Sequence, residues 1–184
     1  MSTKAWQIAA VVAALNLFAL PSAFAFEPFS QTVNGAGFNE VRAANGMILQ
    51  WRVEGERLRV ILDAPTRGWV GIGFRPENKM KGANFLIGYV RGAEVVISDQ
   101  FGTRIDRHDA DVKNKGTQDV VVGGGSESGN RTRIEFSIPL VSNDSQDKPL
   151  QPGERVPILL CFGPQDNFTK VHTVEAEAKG DITL

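Results

Sequence analysis

Met80 and His172 are the two residues of this sequence best suited to bind a metal-containing cofactor. Met80 lies between two lysines in a polar loop that follows an apolar run, whereas methionine usually fills gaps in a core. His172 is one of only 2 histidines in the chain. A thioether and an imidazole are a known axial pair for haem iron. The spacing alone does not show that the two residues meet, so the alternative is a loop methionine and a surface histidine.

The composition narrows the range of functions. A net charge of -1 argues against a general nucleic-acid binder, which would carry a basic stripe. Cys161 is the single cysteine, so an intramolecular disulfide and a Cys-x-x-Cys-His attachment are both excluded, and any haem would be held non-covalently. Cys161 lies in the apolar run Val156–Phe162 and is expected to be buried. No hydrolase elbow, zinc-protease, P-loop or dinucleotide-binding motif occurs, so the sequence predicts no enzymatic activity of its own.

The first 25 residues resemble an export signal. Lys4 supplies a positive charge, Ile8–Leu20 is almost wholly apolar, and Ala23-Phe24-Ala25 is a small-x-small cleavage site. We expect the mature chain to begin at Phe26 and to form one domain over residues 26–184. No later segment has the length of a transmembrane helix. The predicted location is therefore periplasmic or extracellular.

Short apolar runs separated by turn residues predict an all-β fold. The segment Arg131–Ile138 alternates strictly between polar and apolar residues. Asn84–Val90 and Glu94–Asp99 flank a glycine-containing turn and are expected to form a hairpin. Gln100–Lys115 is predicted to be a polar connection, and Thr173–Lys179 to contain one short helical turn. Further strands are expected at Met47–Val53, Leu58–Leu62, Gly68–Phe74, Asp119–Gly123, Val156–Phe162 and Ile182–Leu184. The expected architecture is an immunoglobulin-like β-sandwich of roughly nine to eleven strands.

A group of acidic residues offers a second kind of site. Asp99, Asp106, Asp109 and Asp111, together with His108, could hold a hard cation such as Ca²⁺. They lack the spacing of an EF-hand loop. The alternative is a solvated loop stabilised by Asx turns.

A series of short motifs extends over almost the whole mature chain. In order they are Trp51, Leu58–Val60, Gly68–Phe74, Met80–Asn84, Ile87–Val90, Ser98–Phe101, Thr132–Leu140, Asn143–Asp147, Cys161–Gly163 and His172. In this order the motifs resemble the DOMON domain family. The resemblance implies an immunoglobulin-like β-sandwich used for haem or sugar recognition.

Cytochrome-type members of that family include the haem b domain of cellobiose dehydrogenase. In them a methionine after the Gly-Trp strand and a histidine near the last strand hold the haem iron. These positions match Met80 and His172, although the family often continues with Gly or Arg where this chain has Thr173. The resemblance implies non-covalent haem b with Met80 and His172 as axial ligands. It also implies single-electron transfer to a redox partner protein, either soluble or membrane-bound.

The residues around the motifs suggest further roles within that site. Trp69, Phe74 and Phe85 are candidates for pocket walls. Lys79 and Lys81 could pair with haem propionates or with an acidic redox partner.

The alternative is a haem-free module of the same fold that binds carbohydrate or another partner. Aromatic side chains would then provide the surface on which a sugar stacks. The candidates are Phe29, Phe38, Phe101 and Phe168.

Overall fold

The computed structural model describes residues 26–184, and the predicted export signal lies outside them. The described chain forms twelve β-strands and two short 3-10 turns, at Asp111–Asn114 and Val174–Ala176. The strands are β1 (Gln31–Val33), β2 (Asn39–Arg42), β3 (Ile48–Glu54), β4 (Arg57–Ala64), β5 (Val70–Phe74), β6 (Asn84–Arg91), β7 (Glu94–Arg104), β8 (Arg107–Ala110), β9 (Val121–Ser128), β10 (Arg131–Pro139), β11 (Arg155–Phe162) and β12 (Glu177–Thr183).

The strands form two six-stranded antiparallel sheets. Sheet one has the order β1-β2-β3-β4-β10-β9, and sheet two has the order β12-β11-β5-β6-β7-β8. The prediction of an all-β sandwich is confirmed. The strand number exceeds the expected range because the sequence pattern does not predict β1, β2 and β8, which have 3 or 4 residues each.

The main core lies between the two sheets. In β10, Thr132, Ile134, Phe136 and Ile138 are buried and the residues between them are only partly covered, as expected when one face of a strand meets a core. Trp51 from sheet one belongs to the same buried cluster as strands of sheet two. Each fully buried large apolar side chain stabilises the fold by roughly 1.5–3 kcal/mol.

The centre of sheet two is buried on both faces. Every residue of β5 is buried, as are the first five residues of β6. Since only one face can meet sheet one, the outer face must be covered by other parts of the chain. That cover forms the candidate functional site.

The predicted polar connection Gln100–Lys115 is wrong for most of its length. β7 continues to Arg104, and β8 pairs with it at the edge of sheet two. An edge strand is partly solvated, so its polar side chains do not prevent it from pairing. The short helical turn is confirmed at Val174–Ala176, and β12 begins at Glu177, five residues before the predicted last strand.

Candidate functional site

A second apolar cluster covers the outer face of sheet two. Its buried members are Trp69, Ala83, Phe85, Ile87, Leu159 and Cys161. They lie in β6 and β11 or directly before β5 and β6, and they alternate with residues of the main core because successive side chains point to opposite faces. At Gly73 the Phe85 ring occupies the space of a side chain, since an added Cβ would lie 2.5 Å from Phe85 Cε1. These side chains together form an apolar layer on the outer face of sheet two, which is called the apolar floor below.

A cavity of about 580 Å³ lies over this floor. Met80 and His172 both line it, so the fold brings together the two residues singled out from the sequence. Trp69 and Phe85 form part of its wall, as expected. Its volume is within the range of roughly 300–1,000 Å³ that is usual for small-molecule and cofactor pockets.

The Met80 loop connects β5 to β6 and is fastened to β7. The amide of Gly82 donates to the carbonyl of Gly102 at 2.8 Å, and the amide of Gly102 donates to Ala83 O at 2.9 Å. The contact is so close that a Cβ at Gly102 would lie 1.8 Å from the Met80 carbonyl oxygen. Met80 packs against the outer apolar cluster. Backbone hydrogen bonds to β7 therefore fix the position of the loop from which the Met80 side chain extends.

Trp69 fastens the segment that carries His172. Its indole N–H donates to the carbonyl of Lys170 at 3.0 Å, and its ring meets the His172 ring edge-on with centroids 6.1 Å apart. His172 Nδ1 lies 2.8 Å from the carbonyl oxygen of Thr173. If Nδ1 carries the proton and donates to that carbonyl, Nε2 keeps its lone pair for a metal.

His108 also lines the cavity, although its place in the sequence groups it with the acidic residues near Asp106. It extends from β8 into the cavity, lies over Phe85 at a centroid distance of 5.2 Å and contacts Gln100 Oε1 through Nδ1. Burial lowers the pKa of His108; Asp109 opposes this and the charge of His172 adds to it. Knowing that β8 pairs with β7 would place His108 beside the cavity, but the polar sequence of β8 does not predict a strand.

The cavity wall contains cations as well as acids. Arg107, Lys113 and Lys170 line it and are exposed, and Arg107 is paired with Asp109 at 2.9 Å. Cys161 lies in the floor, where burial raises the pKa of its thiol to about 12. That thiol is therefore neutral at physiological pH.

One expectation about the cavity wall is wrong, and the lysines beside Met80 lie outside the wall. Phe74 is not a wall of this cavity, because it belongs to β5 and points into the main core. Lys79 and Lys81 are exposed beside Met80 but do not line the cavity.

The predicted acidic group divides between the two faces of sheet two. His108 faces the cavity, and Asp106 and Asp109 are each paired with an arginine. Asp99 and Asp111 instead meet each other and Asp147 on the inner side of the sandwich.

Comparison with known proteins places this architecture in a family. The model of the DOMON domain matches residues 44–163, more than half of the chain. The chain belongs to the DOMON domain family. The resemblance found in the motifs is thereby confirmed. Met80 lies within the matched residues of this DOMON domain, and His172 lies beyond them.

Two curated relatives match part of this DOMON domain. DBH-like monooxygenase protein 1 of Mus musculus is 35% identical over 102 residues, which are 55% of this chain and 16% of the relative. The Homo sapiens protein of the same name is 31% identical over 100 residues, which are 54% of this chain and 16% of the relative. The chain thus spans about a sixth of the length of these relatives.

Two solved structures share the fold. The cytochrome domain of cellobiose dehydrogenase from Myriococcum thermophilum has a TM-score of 0.62 at 11% identity, over 85% of this chain and 88% of that one. The cytochrome b domain of pyranose dehydrogenase from Coprinopsis cinerea has a TM-score of 0.59 at 16% identity, over 83% and 87%. Within residues 26–184, no helix has the length and apolarity to cross a bilayer.

Proposed function

We propose that this DOMON domain is an exported module that binds haem b non-covalently and transfers single electrons, with Met80 and His172 as the axial ligands of the iron. The observation that carries the proposal is that these two side chains line one cavity over an apolar floor. The likeness of the fold to two cytochrome domains supports it. The proposed role is electron transfer or binding rather than catalysis.

The residues of the cavity fit the chemistry of haem. Trp69, Phe85 and Cys161 offer an apolar surface, and the neutral Cys161 thiol does not compete as a thiolate ligand. His172 can present Nε2 as a ligand when its Nδ1 donates to Thr173 O. Bound haem supplies one-electron redox chemistry, and methionine ligation raises its potential.

Exposed cations on the cavity wall suit anionic groups. Arg107, Lys113 and Lys170 can pair with carboxylates such as haem propionates. Lys79 and Lys81 extend the positive charge beside Met80. We infer that a redox partner, soluble or membrane-bound, docks on this side of the domain. The salt dependence of the electron-transfer rate tests the electrostatic part of this docking.

The test is a visible spectrum of the exported chain after haem titration, oxidised and then reduced with dithionite. We expect sharp α and β bands on reduction. Met80→Leu keeps the apolar volume and removes the sulfur, so it should lower the potential and alter the low-spin bands. His172→Ala should abolish them. A wild-type protein without a Soret band would overturn the proposal.

His108→Ala is the matched control for His172→Ala, because both imidazoles line the cavity. It should leave the low-spin bands in place. If His108→Ala removes the bands and His172→Ala does not, haem binding stands and the assignment of the histidine ligand is wrong.

The haem-free carbohydrate-binding alternative has less support from the positions of the aromatic side chains. Phe38 is buried, with the guanidinium carbon of Arg52 4.5 Å from its ring centroid. Phe168 lines the cavity but is half-buried and packs on Tyr89, with ring centroids 5.0 Å apart. A colourless protein that binds glycans on an array would favour this alternative.

A further inference from the structure

Three carboxyl groups, two of them buried and one half-buried, converge on the inner side of the sandwich, away from the cavity. Asp99 comes from β7, Asp111 from the 3-10 turn after β8, and Asp147 from the segment between β10 and β11. One carboxylate oxygen from each lies within 4.8 Å of the other two. Asp99 and Asp111 are each 1% exposed. Long-range folding, not local sequence, brings them together.

These carboxyl groups have no cationic partner within the described chain. None of the ion pairs among residues 26–184 includes Asp99, Asp111 or Asp147. Asp99 Oδ1 and both carboxylate oxygens of Asp111 are buried without a hydrogen-bond partner. Buried ionised groups are normally paired or coordinate a metal. The three carboxyl groups therefore lack a positive charge that would compensate their ionised forms.

A neighbouring amide points independently to a missing ligand. Asn84 is 9% exposed and contacts Asp147 through Nδ2, while its Oδ1 is buried without a partner. Leu86 faces the main core and pairs with Asp99 across β6 and β7. Asn84 stands two residues before Leu86, so the side chains of Asn84 and Asp99 are both on the inner face of the sheet. An amide oxygen left unbonded in this position is a ready ligand for a cation.

The polar segment around Asp147 packs onto the Asp111 turn. At Gly116, an added Cβ would lie 2.5 Å from Asp144 Oδ2 and 2.9 Å from Asp111 Cβ. The side chain of Gln146 donates to the carbonyl of Asn114 at 3.0 Å, and its Oε1 is buried without a partner. Asp144 and Gln146 therefore offer further oxygen ligands close to the Asp111 turn.

We propose that Asp99, Asp111 and Asp147 bind a calcium ion at this end of the sandwich. The available ligands are all oxygens, from carboxylates and amides, and no histidine or cysteine joins the group. Such a set selects a hard cation. Ca²⁺ accepts 6–8 oxygens in flexible geometry, whereas Mg²⁺ demands a near-ideal octahedron.

The effect of burial on these groups agrees with this site. Burial, with repulsion from neighbouring carboxylates, raises the pKa of Asp99 to about 8 and that of Asp111 to about 7. A divalent cation would reverse this by stabilising the ionised forms. Bound calcium would join β7, the turn after β8 and the segment before β11, and so hold β8 in place beside the cavity.

The experiment is thermal unfolding and calorimetric titration of the full exported chain with CaCl₂, MgCl₂ or ZnCl₂ after treatment with a chelator. It needs no haem, so its result is independent of the proposed function. We expect a saturable rise in Tm with Ca²⁺, because a ligand that binds only the folded state stabilises it. No rise and no binding heat at millimolar Ca²⁺, or a response to Zn²⁺ alone, would overturn the proposal.

Asp111→Asn tests the residues themselves. It should weaken Ca²⁺ binding by more than about tenfold, since loss of even an outer-shell partner typically costs 10–100-fold. It should also leave the calcium-free protein at least as stable, because a buried unpaired charge is removed. Asp147→Asn is a second variant at a less buried position. Asp106→Asn, which changes an exposed carboxylate, is the control and should keep the calcium response; its losing that response as fully as Asp111→Asn would contradict the site.

Discussion

Replacing Gly102 with alanine tests whether contact with β7 sets the position of Met80. An added Cβ would lie 1.8 Å from the Met80 carbonyl oxygen and 2.8 Å from its carbonyl carbon. Real Cβ atoms essentially never approach a neighbour closer than 3.0 Å. The Met80 loop and β7 must therefore separate by at least about 1.2 Å, because the blocking atom belongs to the backbone.

Such a movement has two measurable consequences. Overpacking of this kind typically costs about 1–3 kcal/mol of stability, which is measured by thermal or denaturant unfolding. Metal–ligand distances hold to within about 0.2 Å, so the displacement is several times what an iron–sulfur bond tolerates. In the haem-bound protein we expect altered low-spin bands and a lower reduction potential, as in Met80→Leu. Spectra and a redox titration measure both.

Gly35→Ala is the control, because an added Cβ at Gly35 meets nothing within 4 Å. It should change neither stability nor spectrum. The reasoning is refuted if Gly102→Ala keeps the wild-type spectrum, potential and Tm. A loss of stability with an unchanged spectrum and potential would show that Met80 is not a ligand or that its side chain does not follow the loop.

Three further experiments test residues that line the cavity. Trp69→Phe removes the donor to Lys170 O, worth about 1 kcal/mol, so hydrogen exchange over residues 165–172 should quicken; unchanged exchange would show that other contacts hold that segment. Burial raises the pKa of Cys161 to about 12, so iodoacetamide should label the thiol at pH 8 only after unfolding, and rapid labelling of the folded protein would contradict its burial. Burial lowers the pKa of His108 below its ordinary 6.5, so the unfolded chain binds the proton more readily and His108 destabilises the fold as the pH falls below 6.5. Urea unfolding at pH 7.5 and 5 should show a smaller loss of stability in His108→Gln than in the wild type, and equal losses would count against this assignment.

Alternation along the strands made much of the fold predictable from sequence. The alternation in Arg131–Ile138 predicts a half-buried strand, and β10 includes all of these residues. The sequence does not predict β8, because its residues, Arg107–Ala110, are mostly polar and pair at a sheet edge. Strands of this length carry too little pattern to be distinguished from a polar loop.

The candidate site was predictable in its residue types but not in its assembly. Met80 and His172 stand out by type, yet only the folded chain shows that they share a cavity. His108 was assigned to the acidic group by proximity in sequence, whereas its strand turns it toward Phe85. The sequence includes Asp147 only in the motif Asn143–Asp147 and does not place it near Asp99, because their meeting depends on contacts between distant segments.

The β6–β7 hairpin explains why one sheet can serve two sites. Side chains alternate between faces, so Phe85 and its partner Gln100 point outward to the cavity. Asn84 and Asp99 stand one position away on the same strands and point inward to the carboxylate group. A shift of register by one residue would exchange the two sets and place carboxylates under the cavity and Phe85 among the aspartates. The β6–β7 register runs without a break from Asn84–Phe101 to Arg91–Glu94. It therefore keeps the apolar floor on the outer face of sheet two and the proposed cation site on the inner face.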